Sequence, residues 1–311
     1  REEPAHMTDN EPFVVDKNLG KKLQLGPDDL PKTNADGEPV VELTQEQKYL
    51  FDTRGWLLVP GAIDPDEVEA MRQHAEAVRD EPESLPEHER NYISGPLGKL
   101  TDHPVVVGFL NEFLAHPHLS SPDCYGFRME SSGLRSPSAE PDKQGKFSPH
   151  NGSGFFRFAV DSHHYQCVPG KAFSGLTRVV WELAPVKHMQ GGTLLATGSH
   201  KAAYTAPESI QDPQSEVWDT YACPAGSVLF FTEALAHSTC PWTNTENARV
   251  GIFNLYNSVG SSWGDWQPPE ALIEKMPPKR QTLFRGVHCA NNVPGFRYGG
   301  QNQADRPRAE V

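Results

Sequence analysis

Apolar residues recur along this chain in two rhythms. From Thr44 to about residue 114 the spacing is mostly helical. Thr44 with Gln47 three residues on is the pattern of a capping box and predicts a short helix over 44–51. Residues 55–60 read as a short strand. Asp64-Pro65-Asp66-Glu67 then opens a second helix, with Asp as N-cap, Pro at the first helical position and acids in the first turn. Val68, Met71, Ala75 and Val78 give that helix an apolar stripe. A third helix is predicted over 103–114, with Val106, Phe109, Leu110 and Phe113 on one face, and both longer helices should pack on a sheet. From Tyr125 the rhythm changes. Short apolar runs at 125–130, 177–183, 193–196, 227–231 and 250–256 alternate with loops rich in Gly, Pro and Ser. These loops are too short for helical crossovers, so the spacing is all-β. The expected fold is mainly β with flanking helices, a sandwich or jelly-roll barrel.

The remaining stretches set the domain plan. Residues 1–43 are polar and read as an extended arm; residues 1–6, which precede Met7, read as a vector remnant. A single domain is expected over 44–311. Its long loops, over 131–149 and 151–175, span 131–175 overall, and a lid or wrap is expected over 258–311, where Trp263, Trp266 and two Pro pairs fall. Loops of that length in a compact domain are usually functional or disordered.

Composition narrows the partners. The net charge of -13 argues against nucleic acid or an anionic membrane as the main partner, since both call for a basic face. One local Arg still suffices for a small anion. The 5 cysteines are scattered with no CxxC, which points to reduced thiols in a cytoplasmic setting. No apolar run approaches the roughly 20 residues of a membrane span.

The candidate chemistry is concentrated in residues 226–256. Two apolar strands flank a polar stretch holding Pro241, Thr243, Asn244, Thr245 and Asn247, and read as strands joined by a turn. His237 lies just past the first strand, and Arg249 opens the second. A strand-end His facing an Arg on the returning strand can hold a metal and, beside it, an anion. An Arg suits a carboxylate because its planar fork meets both oxygens.

Upstream stand Gly175-Leu176-Thr177-Arg178-Val179-Val180-Trp181-Glu182-Leu183 and then Gly191-Gly192-Thr193-Leu194-Leu195-Ala196-Thr197-Gly198-Ser199-His200-Lys201. This order, with His237 and Arg249 after it, resembles the phytanoyl-CoA dioxygenase-like family of Fe(II)/2-oxoglutarate-dependent oxygenases over about residues 44–256. The resemblance implies a double-stranded β-helix (jelly-roll, cupin-like) with a His/carboxylate/His iron site, open positions for 2-oxoglutarate and dioxygen, and a small-molecule substrate. Carried over, His237 matches the distal iron ligand and Arg249 the partner of the distal carboxylate of 2-oxoglutarate. His200 matches a residue whose part is structural.

The chain departs from the family where the first ligands belong. No HxD lies between Tyr125 and His237. His150, in His150-Asn151-Gly152, and His164, in His164-Tyr165-Gln166, both remain candidates for the first His. Neither brings an acid two residues on; Asp161 and Glu130 are the carboxylates at hand elsewhere. Three outcomes stay open. One is hydroxylation of an unactivated carbon. The second is halogenation, because in related iron halogenases a Gly at the Gly152 position leaves room for chloride. The third is a catalytically silent, ligand-binding member. Phe155, Phe156, Phe158, Tyr165 and Phe173 offer either an aromatic pocket wall or anchors that pin the long loop to the barrel.

Overall fold

The computed structural model describes residues 30–116, 119–151 and 163–287, together with the backbone of 297–298 and 301–302. Helix α1, Gln45–Arg54, begins at Thr44, whose side chain accepts from the Gln47 amide while Gln47 accepts from the Thr44 amide, a reciprocal cap. It ends at Gly55, in the left-handed region at φ 81. Helix α2, Pro65–Asp80, is capped by Asp64 and buries Val68, Met71, Ala75 and Val78, the stripe expected of it. Helix α3, Pro104–Phe113, is apolar nearly throughout and is buried on all sides. Residues 30–43 lie against it: the Val41 amide donates to the Pro104 carbonyl at 3.2 Å. The contact is so close that a Cβ on Gly108 would fall 1.9 Å from the Val41 carbonyl oxygen.

The strands are β1 Trp56–Val59, β2 Phe127–Arg135, β3 Gln166–Val168, β4 Lys171–Phe173, β5 Thr177–Glu182, β6 Thr193–Leu195, β7 Ser227–Thr232, β8 His237–Thr239 and β9 Gly251–Ser258. Five of them form one antiparallel sheet in the order β1-β7-β5-β9-β2. β6 and β8 pair separately, and β3 with β4 forms a small hairpin inside the stretch expected to be loop. β2 also runs further than expected, through Arg135. Its second half is polar and half-buried, so it lacks the apolar signal of a central strand, yet it pairs along β9 as a sheet edge.

One expectation is corrected. The strands of residues 227–231 and 250–256 do not pair with each other, because β5 lies between them. The chain between them carries Leu235, Ala236, Cys240 and Trp242, all buried. It leaves the large sheet to form β8 in the small one, where those side chains find cover, instead of turning tightly.

The pleat of the large sheet sorts its side chains into two cores. On one face Val179, Trp181, Val228 and Phe230 pack with α3, the Phe109 and Phe230 rings stacked at 4.2 Å. On the other face Val180, Leu229 and Phe231 meet Leu195, Leu235 and Trp242 from around the small sheet. The candidate chemistry lies at the margins of this second layer. A further buried network closes the opposite side. Arg280 pairs with Asp102 at 2.7 Å and with Asp36 at 2.6 Å, and the Tyr125 hydroxyl donates to Asp102 at 2.7 Å. It ties the segment after residue 258 to the arm and to the start of α3. Among the described residues no helix is long and apolar enough to cross a membrane, and Cys124, Cys167, Cys223 and Cys240 are free thiols.

Candidate metal centre

β8 sets the position of the first two groups that could hold a metal. Its His237 pairs with Leu195 of β6 on one side. On the other it exchanges both backbone hydrogen bonds with His150, each 3.1 Å. Residues opposite each other in a ladder project to the same face, so the two imidazoles lie together with ring centroids 4.1 Å apart. Each ring is held the same way. His150 Nδ1 donates to the Ser148 carbonyl and His237 Nδ1 to the Leu235 carbonyl, both at 2.8 Å. A carbonyl only accepts, so the proton is on Nδ1, and each Nε2 is left as a bare donor for a metal.

The third group is Glu233. β7 ends at Thr232, whose hydroxyl donates to the Ser174 carbonyl at 2.6 Å, while the Glu233 amide donates to the Leu176 carbonyl at 2.8 Å. A tight turn then carries the chain to His237 and leaves Glu233 Oε2 3.5 Å from His237 Nε2. The two carboxylate oxygens differ. Oε1 is held by Arg178 of β5, with Nη2 at 2.7 Å and Nε at 2.9 Å. Oε2 faces the imidazoles and, among the described residues, accepts from the Asn151 side-chain amide at 3.1 Å. Asn151 reaches it from a left-handed backbone, φ 65, which Asn tolerates better than most residues. One ligand atom each from His150, Glu233 and His237 lie within 4.8 Å of one another.

The electrostatics suit a cation. Burial acts to raise the Glu233 pKa, but the Arg178 charge, helped by His237, outweighs it and leaves the carboxyl near 2. Burial lowers the His237 pKa to about 4, with Glu233 opposing. At neutral pH the group therefore carries one carboxylate and a neutral His237 imidazole beside the His150 ring, a donor set of the kind a non-haem Fe(II) centre uses, with positions left over for exogenous ligands. His163 is buried nearby, its ring against Trp263 at 4.2 Å, and it contributes to the field on Glu233.

The candidates read from the sequence separate here. His150 and His237 come together; His164 does not join this group. Glu130 is not at the centre: its carboxylate is taken by Arg128, Asn257 and the amides of Trp263 and Gly264. Gly152, Phe155, Phe156, Phe158 and Asp161 lie outside the described residues. His200 is buried in the Gly198-Ser199-His200-Lys201 turn, where Nε2 donates to the Asp52 carbonyl at 3.0 Å and Lys201 pairs with the Asp52 side chain at 2.6 Å. Glu233 itself was legible only as an acid in the apolar run Phe230-Phe231-Thr232-Glu233-Ala234-Leu235-Ala236. Buried there, it needs a strong partner.

Arg249 is buried just ahead of β9, and its guanidinium already meets a carboxylate. Nη2 and Nε pair with Glu182 of β5, Nε at 3.1 Å, and Nη2 also reaches the Tyr221 hydroxyl at 3.1 Å and the Thr193 hydroxyl at 3.3 Å. Tyr221 in turn donates to Glu182 at 2.6 Å. Burial alone would lower the Arg249 pKa, but the Glu182 charge raises it instead.

A mainly β sandwich that buries a carboxylate and a histidine beside a second histidine has the layout of a non-haem metal protein. The chain belongs to the phytanoyl-CoA dioxygenase (PhyH) family, whose model matches residues 51–250. Among solved structures it is similar to apo HygX from Streptomyces hygroscopicus, at 21% identity and a TM-score of 0.54, covering 73% of this chain and 91% of that one. The same HygX with iron bound matches at 20% identity, with a TM-score of 0.54 and coverage of 73% and 91%. HygX with nickel, 2-oxoglutarate and hygromycin B bound matches at 19% identity, with a TM-score of 0.53 and coverage of 74% and 94%. At these identities the likeness is one of fold. No curated protein matches the chain.

Proposed function

We propose that this chain is an Fe(II)/2-oxoglutarate-dependent oxygenase that hydroxylates an unactivated carbon of a small molecule, on a double-stranded β-helix formed by its two sheets. The observation that carries this reading is the group of His150, Glu233 and His237, with both Nδ1 protons fixed on backbone carbonyls. These three residues would hold the iron. When bound with 2-oxoglutarate and dioxygen, the iron supplies the oxidising power that attack on an unreactive C–H bond demands.

The chain's own residues do the rest. Glu233 contributes charge through Oε2, while Arg178 keeps the carboxylate ionised and fixes its angle through Oε1. The Ser148 and Leu235 carbonyls set the imidazole tautomers. Arg249 anchors the distal carboxylate of 2-oxoglutarate in the barrel interior. His163, whose ring packs against Trp263, stands close enough to act on the Glu233 charge and would border the substrate. The halogenase and silent readings both rest on a missing acid. Glu233 supplies one from outside the expected motif, which favours hydroxylation over chloride binding beside Gly152.

The test uses anaerobic protein with Fe(II) and 2-oxoglutarate. A weak visible charge-transfer band of the metal-bound keto acid is expected, abolished in His237→Ala and in Glu233→Ala. If no band forms at saturating 2-oxoglutarate, both the hydroxylase and halogenase readings are wrong. If chloride tightens 2-oxoglutarate binding and shifts the band, halogenation replaces hydroxylation.

A further inference from the structure

The charges along the inner face of the large sheet leave one guanidinium over. Arg178 faces Glu233, and Arg249 faces Glu182. Arg135, at the end of β2, faces no carboxylate among the described residues; its hydrogen bond runs from Nη1 to the Leu134 carbonyl at 3.2 Å. Its position is not peripheral to the others. Arg135 is opposite Gly251 of β9, and Gly251 is opposite Glu182 of β5, so the three share one row and one face of the sheet.

Gly251, in the middle of that row, has no side chain, and the neighbouring side chains close in over it. A Cβ there would come within 3.2 Å of Arg249 Nε, 3.2 Å of the Phe253 ring and 3.3 Å of Glu182 Oε2. Phe253 joins the two cations: the Arg249 and Arg135 guanidinium carbons lie 5.0 Å and 5.8 Å from its ring centroid. Burial, and then the like charges of Arg178 and Arg249, lower the Arg135 pKa, as expected of a cation with no counter-ion of its own. The space in front is a cavity of about 590 Å³. Arg135, Lys143, Lys146 and Arg249 line it, with Asp142 as its acid. Lys143 is engaged by Glu140 at 2.7 Å. Ser238 and Thr239 of β8, the two residues that follow His237, also line it.

We propose that Arg135 is a second anchor for the distal carboxylate of 2-oxoglutarate, which lies between Arg135 and Arg249 across the Phe253 ring. This rests on the function proposed above. The physical reason is charge balance. Arg249 and Glu182 together are neutral, and a second carboxylate placed at Arg249 alone would share one cation with Glu182 and be repelled by it. Desolvating an anion is favourable only with a matching charge and full hydrogen bonding. Arg135 supplies that charge. Arg249 keeps its place, contributing the nitrogen not used by Glu182 and fixing the geometry.

The experiment is calorimetric titration of the anaerobic Fe(II)-loaded protein with 2-oxoglutarate and with 2-oxopentanoate, which has the same chain length but no distal carboxylate. Arg135→Gln should weaken 2-oxoglutarate by about tenfold to a hundredfold, the worth of a charged hydrogen bond. It should leave 2-oxopentanoate and the melting temperature of the metal-loaded protein unchanged, and Arg135→Lys should recover part of the loss. Unchanged 2-oxoglutarate binding in Arg135→Gln overturns the inference while leaving the proposed function intact. Equal weakening of both keto acids also overturns it, since the residue would then act on the fold or the metal. If the unsubstituted protein binds iron but no 2-oxoglutarate, the proposed function fails and the inference fails with it.

Discussion

Glu233 carries its charge asymmetrically, and the asymmetry decides what its neighbours do. Arg178 occupies one oxygen and the imidazoles face the other, so Arg178 would support a metal held there without touching it. Removing such an outer partner typically costs metal affinity about 10-fold to 100-fold. Arg178→Met is expected to fall in that range and Glu233→Gln to lose more, measured by competition against a chromophoric chelator. The same group gives the metal-free protein an acid-sensitive fold. His237 has a folded pKa near 4, below its unfolded value near 6.5, so the unfolded state binds more protons between those limits and stability falls as pH drops through them. Glu233 is depressed from 4.5 to about 2, so its contribution is present above 4.5 and is lost as pH falls toward 2. Urea midpoints across that range should decline on the acid side, and less so with metal bound, because the metal competes with the protons. At the far end of the layer the Glu182–Arg249 pair is almost wholly buried. Glu182→Gln leaves the guanidinium uncompensated, at a cost of about 3–5 kcal/mol in urea denaturation. Saturating 2-oxoglutarate should return part of that loss by restoring an anion.

Among the elements, the Gly198-Ser199-His200-Lys201 turn acts as a clasp between α1 and the small sheet. The Gly198 amide donates to the Arg54 carbonyl at 2.9 Å, the Ser199 hydroxyl accepts from the Ala236 amide at 2.8 Å, and His200 holds Asp52 at the end of α1. Ala236 adjoins His237, so the clasp also steadies the start of β8. Gly55 makes the fit possible: a Cβ there would lie 2.5 Å from His200 Nδ1, and φ is +81. Gly55→Ala combines left-handed strain with a clash and is expected to destabilise by about 1–3 kcal/mol, read as a lower urea midpoint. This scale also explains what the sequence withheld. The three helices were readable because caps and apolar stripes are local signals. β8 was not, because three residues are too few to show a period. The pairing of β7 with β5 rather than with β9 was also hidden, since strand order is settled by which buried faces find partners. His237 and Arg249 stood out through motif spacing. Glu233 did not, because the motif places its acid two residues after the first His, whereas here the acid comes four residues before the last.

At the scale of the whole molecule the candidate ligands come from two places with different support. Glu233 and His237 belong to the buried sandwich, flanked by β7 and the clasp. His150 sits on the connection between β2 and the hairpin of β3 and β4. It is exposed, and the backbone bridge to His237 and the Ser148 amide's bond to Ser238 at 2.8 Å fasten it to β8. A metal bridging the three groups therefore joins that connection to the core as well as filling a site. Binding only to the folded state adds stability of about 2.7 kcal/mol when the metal is at 100 times its dissociation constant. The gain should not be uniform, because the stretch around His150 is exposed and lies outside the large sheet, and such segments open locally at lower cost than core strands. Chelating the metal is expected to lower the melting temperature and to raise amide exchange most over residues 147–151, with β5 and β7 little changed. Exchange that rises evenly along the chain would mean that the metal acts on global unfolding alone, and protection at 147–151 that ignores the metal would remove His150 from the ligand set.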